Sequence, residues 1–181
     1  GGAVAATSAE DGEFDTDPGK FIQYRDGEFD CVDSENPDPQ WEGNKMHDIM
    51  SRVNVPEDLD GAVRAMVAKG RITPREGEHF LSVLRPAIET TGKEYGWFSP
   101  GLRVLNERSL LQEGDYDRRP DRVIIDSEGR ATVIDYKFGM SRERGHLWQV
   151  RRYVKLMRET AAFTQVRGFL WYVNLQEVRE V

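Results

Sequence analysis

Two stretches of the chain combine residue types that could hold a divalent cation, Arg119-Pro120-Asp121-Arg122 and Ile134-Asp135-Tyr136-Lys137. In a strand every second residue shares a face, so Asp135 and Lys137 point one way and Ile134 and Tyr136 the other. Ser127-Glu128-Gly129 lies between the two stretches and reads as a tight turn. If that turn centres on Glu128, Ile125 faces Ala131, Val123 faces Val133, and Asp121 faces Asp135. Directly opposed residues have β-carbons about 4.5–5.5 Å apart, where like charges repel. A cation held between the two carboxylates offsets that repulsion, and Lys137 adds positive charge beside them. Carboxylate oxygens with positions left for water suit Mg2+ or Mn2+. A lone Asp-x-Lys is usually a solvated ion pair at a sheet edge. Asp121 at the matching place on the preceding strand, with apolar Val123, Ile125 and Val133 leading up to the pair, favours a cation site.

These residues need strands to carry them, and the second half of the chain supplies the pattern. Leu102 to Leu111, Arg119 to Asp126, Ala131 to Lys137 and Val166 to Val173 read as strands, with an amphipathic helix from Arg144 to about Ala161 before the last. Upstream the character is helical. Met46, Ile49, Met50 and Val53 follow helical spacing until Pro56, a second helix runs from Leu59 to Ala68, and a third starts near Thr73 with Pro74 at its first position. That third helix continues to about Thr91, and Pro86 is expected to bend or split it. Residues 1–40 are rich in Gly, Asp, Glu and Pro and read as a largely flexible acidic linker, in which Asp26-Gly27 marks a short hairpin. The expected architecture is α/β: a βββαβ core behind an N-terminal helical lead, forming one domain over residues 41–181.

Composition bounds the function. A single cysteine, Cys31, excludes a disulfide framework, a cysteine-ligated zinc site and an iron–sulfur cluster within this chain. A reducing, cytoplasmic setting is the natural expectation. No apolar run reaches the length of a membrane span, so no membrane partner is expected. The net charge of −7 is unevenly spread. Residues 1–60 hold 16 acids and 4 bases, a net of −12, whereas residues 61–181 hold 16 acids and 21 bases, a net of +5. The basic part is compatible with a phosphate-bearing partner and equally with ordinary surface variation.

At Pro120-Asp121 and Asp135-Tyr136-Lys137 the chain resembles the PD-(D/E)xK nuclease superfamily, whose core has the order αβββαβ in a mixed, restriction-endonuclease-like sheet. Gly43-Asn44-Lys45-Met46-His47 and Gln149-Val150-Arg151-Arg152-Tyr153 narrow the resemblance to the RecB-like branch. Glu107 also falls where relatives often place a glutamate. Arg119-Pro120 stands where a glycine often precedes the aspartate in that branch, which is a departure. The resemblance covers about residues 41–175 and looks most like the C-terminal nuclease domain of a RecB or AddA-type helicase-nuclease.

It implies Mg2+-dependent hydrolysis of DNA, with His47, Asp121, Asp135 and the Tyr136 carbonyl as metal ligands and Lys137 orienting the attacking water or stabilising the transition state. Glu107 is implied to support a water on the metal or a second metal ion. Gln149 and Tyr153 are implied to help order DNA or water at the edge of the site. It further implies a bacterial, nucleoid-associated setting, a helicase upstream in the same native chain feeding single-stranded DNA, and a partner subunit. The Gly1-Gly2-Ala3 start fits a longer native chain. A non-catalytic docking module for DNA or protein is the competing class, and a free-standing restriction-type or junction-resolving nuclease is a second alternative.

Other candidates follow from the residues themselves. Arg118, Arg119 and Arg122 flank Asp121 and are the expected phosphate contacts. Laid out at 100° per residue, the helix after Asp135 buries Leu147, Val150, Val154, Met157 and Ala161. Gln149 and Tyr153 lie on one flank of that stripe. Arg144, Arg151, Lys155 and Arg158 lie on the other and read as a solvated or partner face. Trp97, Phe98, Trp148, Trp171 and Tyr172 include candidates for a base-stacking platform, although most are expected in the core. His79 and His146 read as structural.

Overall fold

The computed structural model describes residues 38–106 and 120–181. The expected hairpin at Asp26-Gly27, most of the acidic linker, and Glu107, Arg118 and Arg119 lie outside the described residues.

The N-terminal part is helical, as its spacing predicts. Helix α1 spans Pro39–Met50 and begins at Asp38, whose carboxylate accepts from the Gln40 N–H at 3.1 Å, one of the donors a helix start leaves unpaired. Met46, Ile49 and Met50 form its buried face. Helix α2 spans Asp58–Ala68 and buries Leu59, Ala62, Val63 and Met66. Helix α3 spans Pro74–Ala87. Thr73 opens it with a reciprocal cap: its hydroxyl accepts from the Glu76 N–H at 3.2 Å, and the Glu76 carboxylate accepts from the Thr73 N–H at 2.6 Å. Pro86 does not split this helix. The chain passes through it and widens into a π-turn over Ile88–Gly92. The Thr90 hydroxyl returns to the Pro86 carbonyl at 2.6 Å.

Among the described residues five strands follow, β1 (Arg103–Asn106), β2 (Arg122–Ile125), β3 (Arg130–Lys137), β4 (Gln165–Tyr172) and β5 (Glu177–Glu180), with helix α4 (Arg144–Glu159) between β3 and β4. They form one mixed sheet in the order β1-β2-β3-β4-β5. Only β3 and β4 are parallel, as the α4 crossover between them requires. The sheet and its helices match the α/β expectation, with β2 shorter than read from sequence and β5 unanticipated. Val123 pairs with Val133 and Ile125 with Ala131, the register that a turn centred on Glu128 demands. Gly129 takes φ +74°, the left-handed conformation that closes a three-residue hairpin loop. Asp126 locks the loop by accepting from the Glu128 and Arg130 N–H groups, each at 2.9 Å.

The sheet buries both faces, and strand alternation decides which residue goes where. Ile124, Ile134, Tyr136, Phe169 and Trp171 face the helical layer of α1 to α3. Val123, Ala131, Val133, Leu170 and Tyr172 face α4, meeting Val150, Tyr153, Val154 and Met157. Gly168 lets α4 settle against β4: a Cβ there would stand 2.5 Å from Val154 Cγ2 and 2.9 Å from Val150 Cγ1. Among the described residues, no helix is long and apolar enough to cross a membrane.

Candidate active site

Helix α1 brings Asn44, His47 and Asp48 to one cleft because these positions fall on one helical face, while Met46, Ile49 and Met50 turn into the core. His47 Nδ1 lies 3.2 Å from Asp121 Oδ1. Its ring meets Phe138 edge-on, with centroids 4.9 Å apart. Asp48 is engaged elsewhere, accepting from Arg52 at 3.0 Å and Arg71 at 3.1 Å. Sequence reasoning did not select Asn44 or Asp48; their i, i+3 and i+4 spacing with His47 was the signal available.

The β2–β3 hairpin brings the two carboxylates. Its register, continued one residue beyond Arg122–Ile134, sets Asp121 against Asp135. Asp121 Oδ2 accepts from the Tyr136 backbone N–H at 2.6 Å, while the Tyr136 side chain lies on the opposite face of the sheet. Asp135 is 1% exposed. Lys137, on the same face two residues on, places its Nζ 2.6 Å from Asp135 Oδ2. No other donor among the described residues reaches the buried Oδ2, so it keeps acceptor capacity beyond the lysine. Burial first, and the neighbouring Asp121 charge second, push the Asp135 carboxyl up to about 6, against the opposing pull of Lys137 and His47. For His47, burial is the largest influence and acts downward. The hydrogen bond and charge of Asp121, with Asp135, outweigh it and leave the imidazole above its usual value.

Helix α4 closes the cleft with Gln149, whose Nε2 donates to the Tyr153 hydroxyl at 3.0 Å. Tyr153 is buried, so it holds the amide from behind and does not itself line the cleft. The result is an open cleft of about 460 Å3 in which His47, Asp121, Asp135, Lys137 and Gln149 meet. His79 pairs with Glu42 at 2.7 Å, and His146 lies 3.3 Å from the Tyr172 hydroxyl; neither lines the cleft.

The expectation for Arg122 is overturned. Arg122 is not a phosphate contact, because it is fully buried. Alternation sends its side chain to the face opposite Asp121, where it donates to the carbonyls of Val53 (2.6 Å), Asn54 (2.9 Å) and Trp97 (3.0 Å). The guanidinium also lies 4.3 Å from the Phe98 ring centroid. Among the aromatic candidates, Trp97, Phe98, Trp171 and Tyr172 are at most 3% exposed and belong to the cores, whereas Trp148 is 55% exposed.

The donor set of two carboxylates and an imidazole suits a hard to borderline divalent cation. Among the described residues, no three His, Cys, Asp or Glu side chains already surround a common point. Instead the site's own groups engage one another: His47 and the Tyr136 N–H hold Asp121, and Lys137 neighbours Asp135. The fit rests on the under-used Asp135 oxygen and on two adjacent carboxylates that only a proton or a cation relieves. A family model described as the PD-(D/E)XK nuclease superfamily matches residues 19–181. No protein of curated function matches the chain.

Proposed function

Since the chain belongs to the PD-(D/E)XK nuclease superfamily, we propose that it hydrolyses phosphodiester bonds in DNA with a divalent cation, Mg2+ or Mn2+, held by Asp121, Asp135, His47 and the Tyr136 carbonyl. The observation that carries this reading is the pair Asp121 and Asp135 facing each other across one hairpin, with Lys137 2.6 Å from the buried carboxylate. When bound, the cation would neutralise charge on the scissile phosphate and lower the pKa of a water. The chain's own groups do the rest. The Tyr136 N–H fixes the orientation of Asp121 by occupying one of its oxygens. Lys137 is free to swing its ammonium from Asp135 to the phosphate or the attacking water, where a positive charge stabilises the developing oxyanion. Gln149, braced by Tyr153, presents an amide able to hydrogen-bond that water or a phosphate oxygen.

The finer assignment is to the RecB-like branch, as the nuclease part of an ATP-dependent helicase-nuclease acting in recombinational repair or DNA end processing in the bacterial cytoplasm. The meeting of His47 and Gln149 with the carboxylates supports it, since those are the two motifs that single out the branch. In this setting a helicase in the same native chain, with a partner subunit, feeds single strands to the cleft. The full-length gene tests that arrangement: a helicase upstream carries a Gly-rich phosphate-binding loop.

The activity itself is tested by Mg2+-dependent degradation of linear single-stranded DNA, comparing the chain with Asp135→Ala. Cleavage that requires metal and disappears in the variant is expected. Cleavage that persists in the variant overturns the site. Absence of both cleavage and calorimetric metal binding in the parent chain leaves the non-catalytic docking module as the better account.

A further inference from the structure

Three large apolar side chains are exposed among the described residues, Tyr95, Met140 and Trp148. Tyr95 is stacked on Trp97 at 4.6 Å, which accounts for it. Met140 (69% exposed) and Trp148 (55% exposed) both lie on the stretch of chain joining Lys137 to Gln149, two residues that line the cleft. A single exposed tryptophan is unremarkable in itself. The surroundings of Trp148 set it apart.

On the surface of α4, the positions adjacent to Trp148 are i−4, i−3, i+3 and i+4. Three of the four are arginines, Arg144, Arg151 and Arg152, and the fourth is Gly145, which has no side chain to cover the indole. From Arg144 to Arg158 the helix contains no acidic residue. The Arg152 guanidinium lies 5.6 Å from the Trp148 ring centroid, a cation–π distance that steadies the indole. One residue step on the helix wheel separates function from platform: Trp148 is the immediate neighbour of Gln149 and projects about 100° around the helix from it. A chain leaving the cleft past Gln149 therefore meets the indole first and the arginines around it next.

We infer that Trp148, set among Arg144, Arg151 and Arg152, is a stacking platform for a base of an unpaired DNA strand whose phosphate lies in the cleft. Aromatic faces with cations beside them bind single strands because every base has a π-face and every nucleotide a phosphate. A base stacked between neighbours inside a duplex has no free face to offer, so the platform selects for single strands. This inference rests on the nuclease reading for the strand's direction across α4, and gives it a substrate preference that the cleft residues alone do not.

The test separates the two. A fluorescein-labelled oligo-dT strand, and the same strand paired with oligo-dA, are titrated in Ca2+ with the parent chain, Trp148→Ala and Trp148→Phe, by fluorescence anisotropy. Loss of one stacked base weakens binding about 5- to 150-fold. Trp148→Ala is expected to lose single-strand affinity in that range, Trp148→Phe to recover most of it, and duplex affinity to change less than about twofold in both. An exposed site should leave the melting temperature within about 2 °C of the parent. Unchanged single-strand affinity in Trp148→Ala, an equal loss on duplex, or no single-strand binding by the parent chain each overturns the platform. If the parent binds single strands through Trp148 yet cuts nothing in Mg2+, the platform stands and the nuclease reading falls. If it cuts and Trp148→Ala binds and cuts alike, the nuclease reading stands and the platform falls.

Discussion

Replacing Arg122 with methionine keeps the length of the buried stem and deletes every donor. The carbonyls of Val53, Asn54 and Trp97 then lose the guanidinium that binds them at 2.6, 2.9 and 3.0 Å, and the Phe98 ring loses the cation above it. A buried acceptor left without a partner costs about 1–3 kcal/mol. Three such carbonyls give a ceiling near 9 kcal/mol, but two effects reduce it. Water reaches loop carbonyls as the structure relaxes, and removing a buried charge recovers its desolvation cost, which is the largest influence on Arg122 and lowers its pKa. A net loss of about 4 kcal/mol is expected. At roughly 2–4 °C per kcal/mol for a chain of this size, the melting temperature should fall by about 8–16 °C. Arg122→Lys should recover little, since an ammonium cannot fork toward three carbonyls fixed for a guanidinium. Thermal unfolding followed by circular dichroism reads the effect, with DNA binding measured against salt in parallel. Each phosphate contact to a single strand contributes about −0.7 to the slope of log K against log salt. A melting temperature within 2 °C of the parent, together with a slope reduced by about that amount, would refute the brace and restore Arg122 to the DNA surface.

Lys137→Ala should abolish cleavage while leaving calorimetric cation binding in place, because the lysine pairs with Asp135 and is not one of the oxygen or nitrogen donors; retained cleavage, or loss of cation binding, contradicts its assigned role. The metal-free chain should lose stability as pH rises. Asp135 titrates near 6 in the folded chain and near 3.9 unfolded, so its favourable contribution is complete below about pH 4 and disappears as pH passes through 6. His47, also raised, acts in the same direction at a higher pH. In EDTA, Asp135→Asn should therefore gain on the parent chain in melting temperature between pH 4 and 7.5, and a parallel pH profile for the two proteins would contradict the assignment.

Legibility followed the range of the interactions. The pairing of Asp121 with Asp135 was visible because a three-residue loop closed by Gly129 leaves the hairpin no alternative register. Helical periodicity set Gln149 beside the buried stripe of α4, but Tyr153, expected on the same flank, is buried within that stripe, and their mutual hydrogen bond was not foreseeable from spacing alone. Arg122 was misassigned even though alternation was sufficient to turn it away from Asp121. What sequence did not reveal is that carbonyls from two distant loops wait on the buried face to receive it. Strand β5 escaped because Glu177-Val178-Arg179-Glu180 lacks an apolar alternation. It is an edge strand that pairs its charges instead, Glu180 with Arg167 and Glu177 with Arg142 and Arg179. The isolation of Trp148 from the other aromatic residues emerged only with burial.

Asp121 and Arg122 are consecutive residues with opposite tasks, and their adjacency explains why the helical layer belongs to the site. Asp121 faces the cleft and engages His47 of α1; Arg122 faces the other core and ties the loop that follows α1 to the first residue of β2. Both contacts join the same two elements, so any loosening of α1 from the sheet separates the imidazole from the carboxylate and breaks the arginine's bonds together. A cation that binds only when His47, Asp121 and Asp135 converge must then stabilise the docking of α1 by mass action, and secure docking must in turn raise affinity for the cation. Variants at Arg122 that survive folding are accordingly expected to weaken cation binding even though the side chain never enters the cleft.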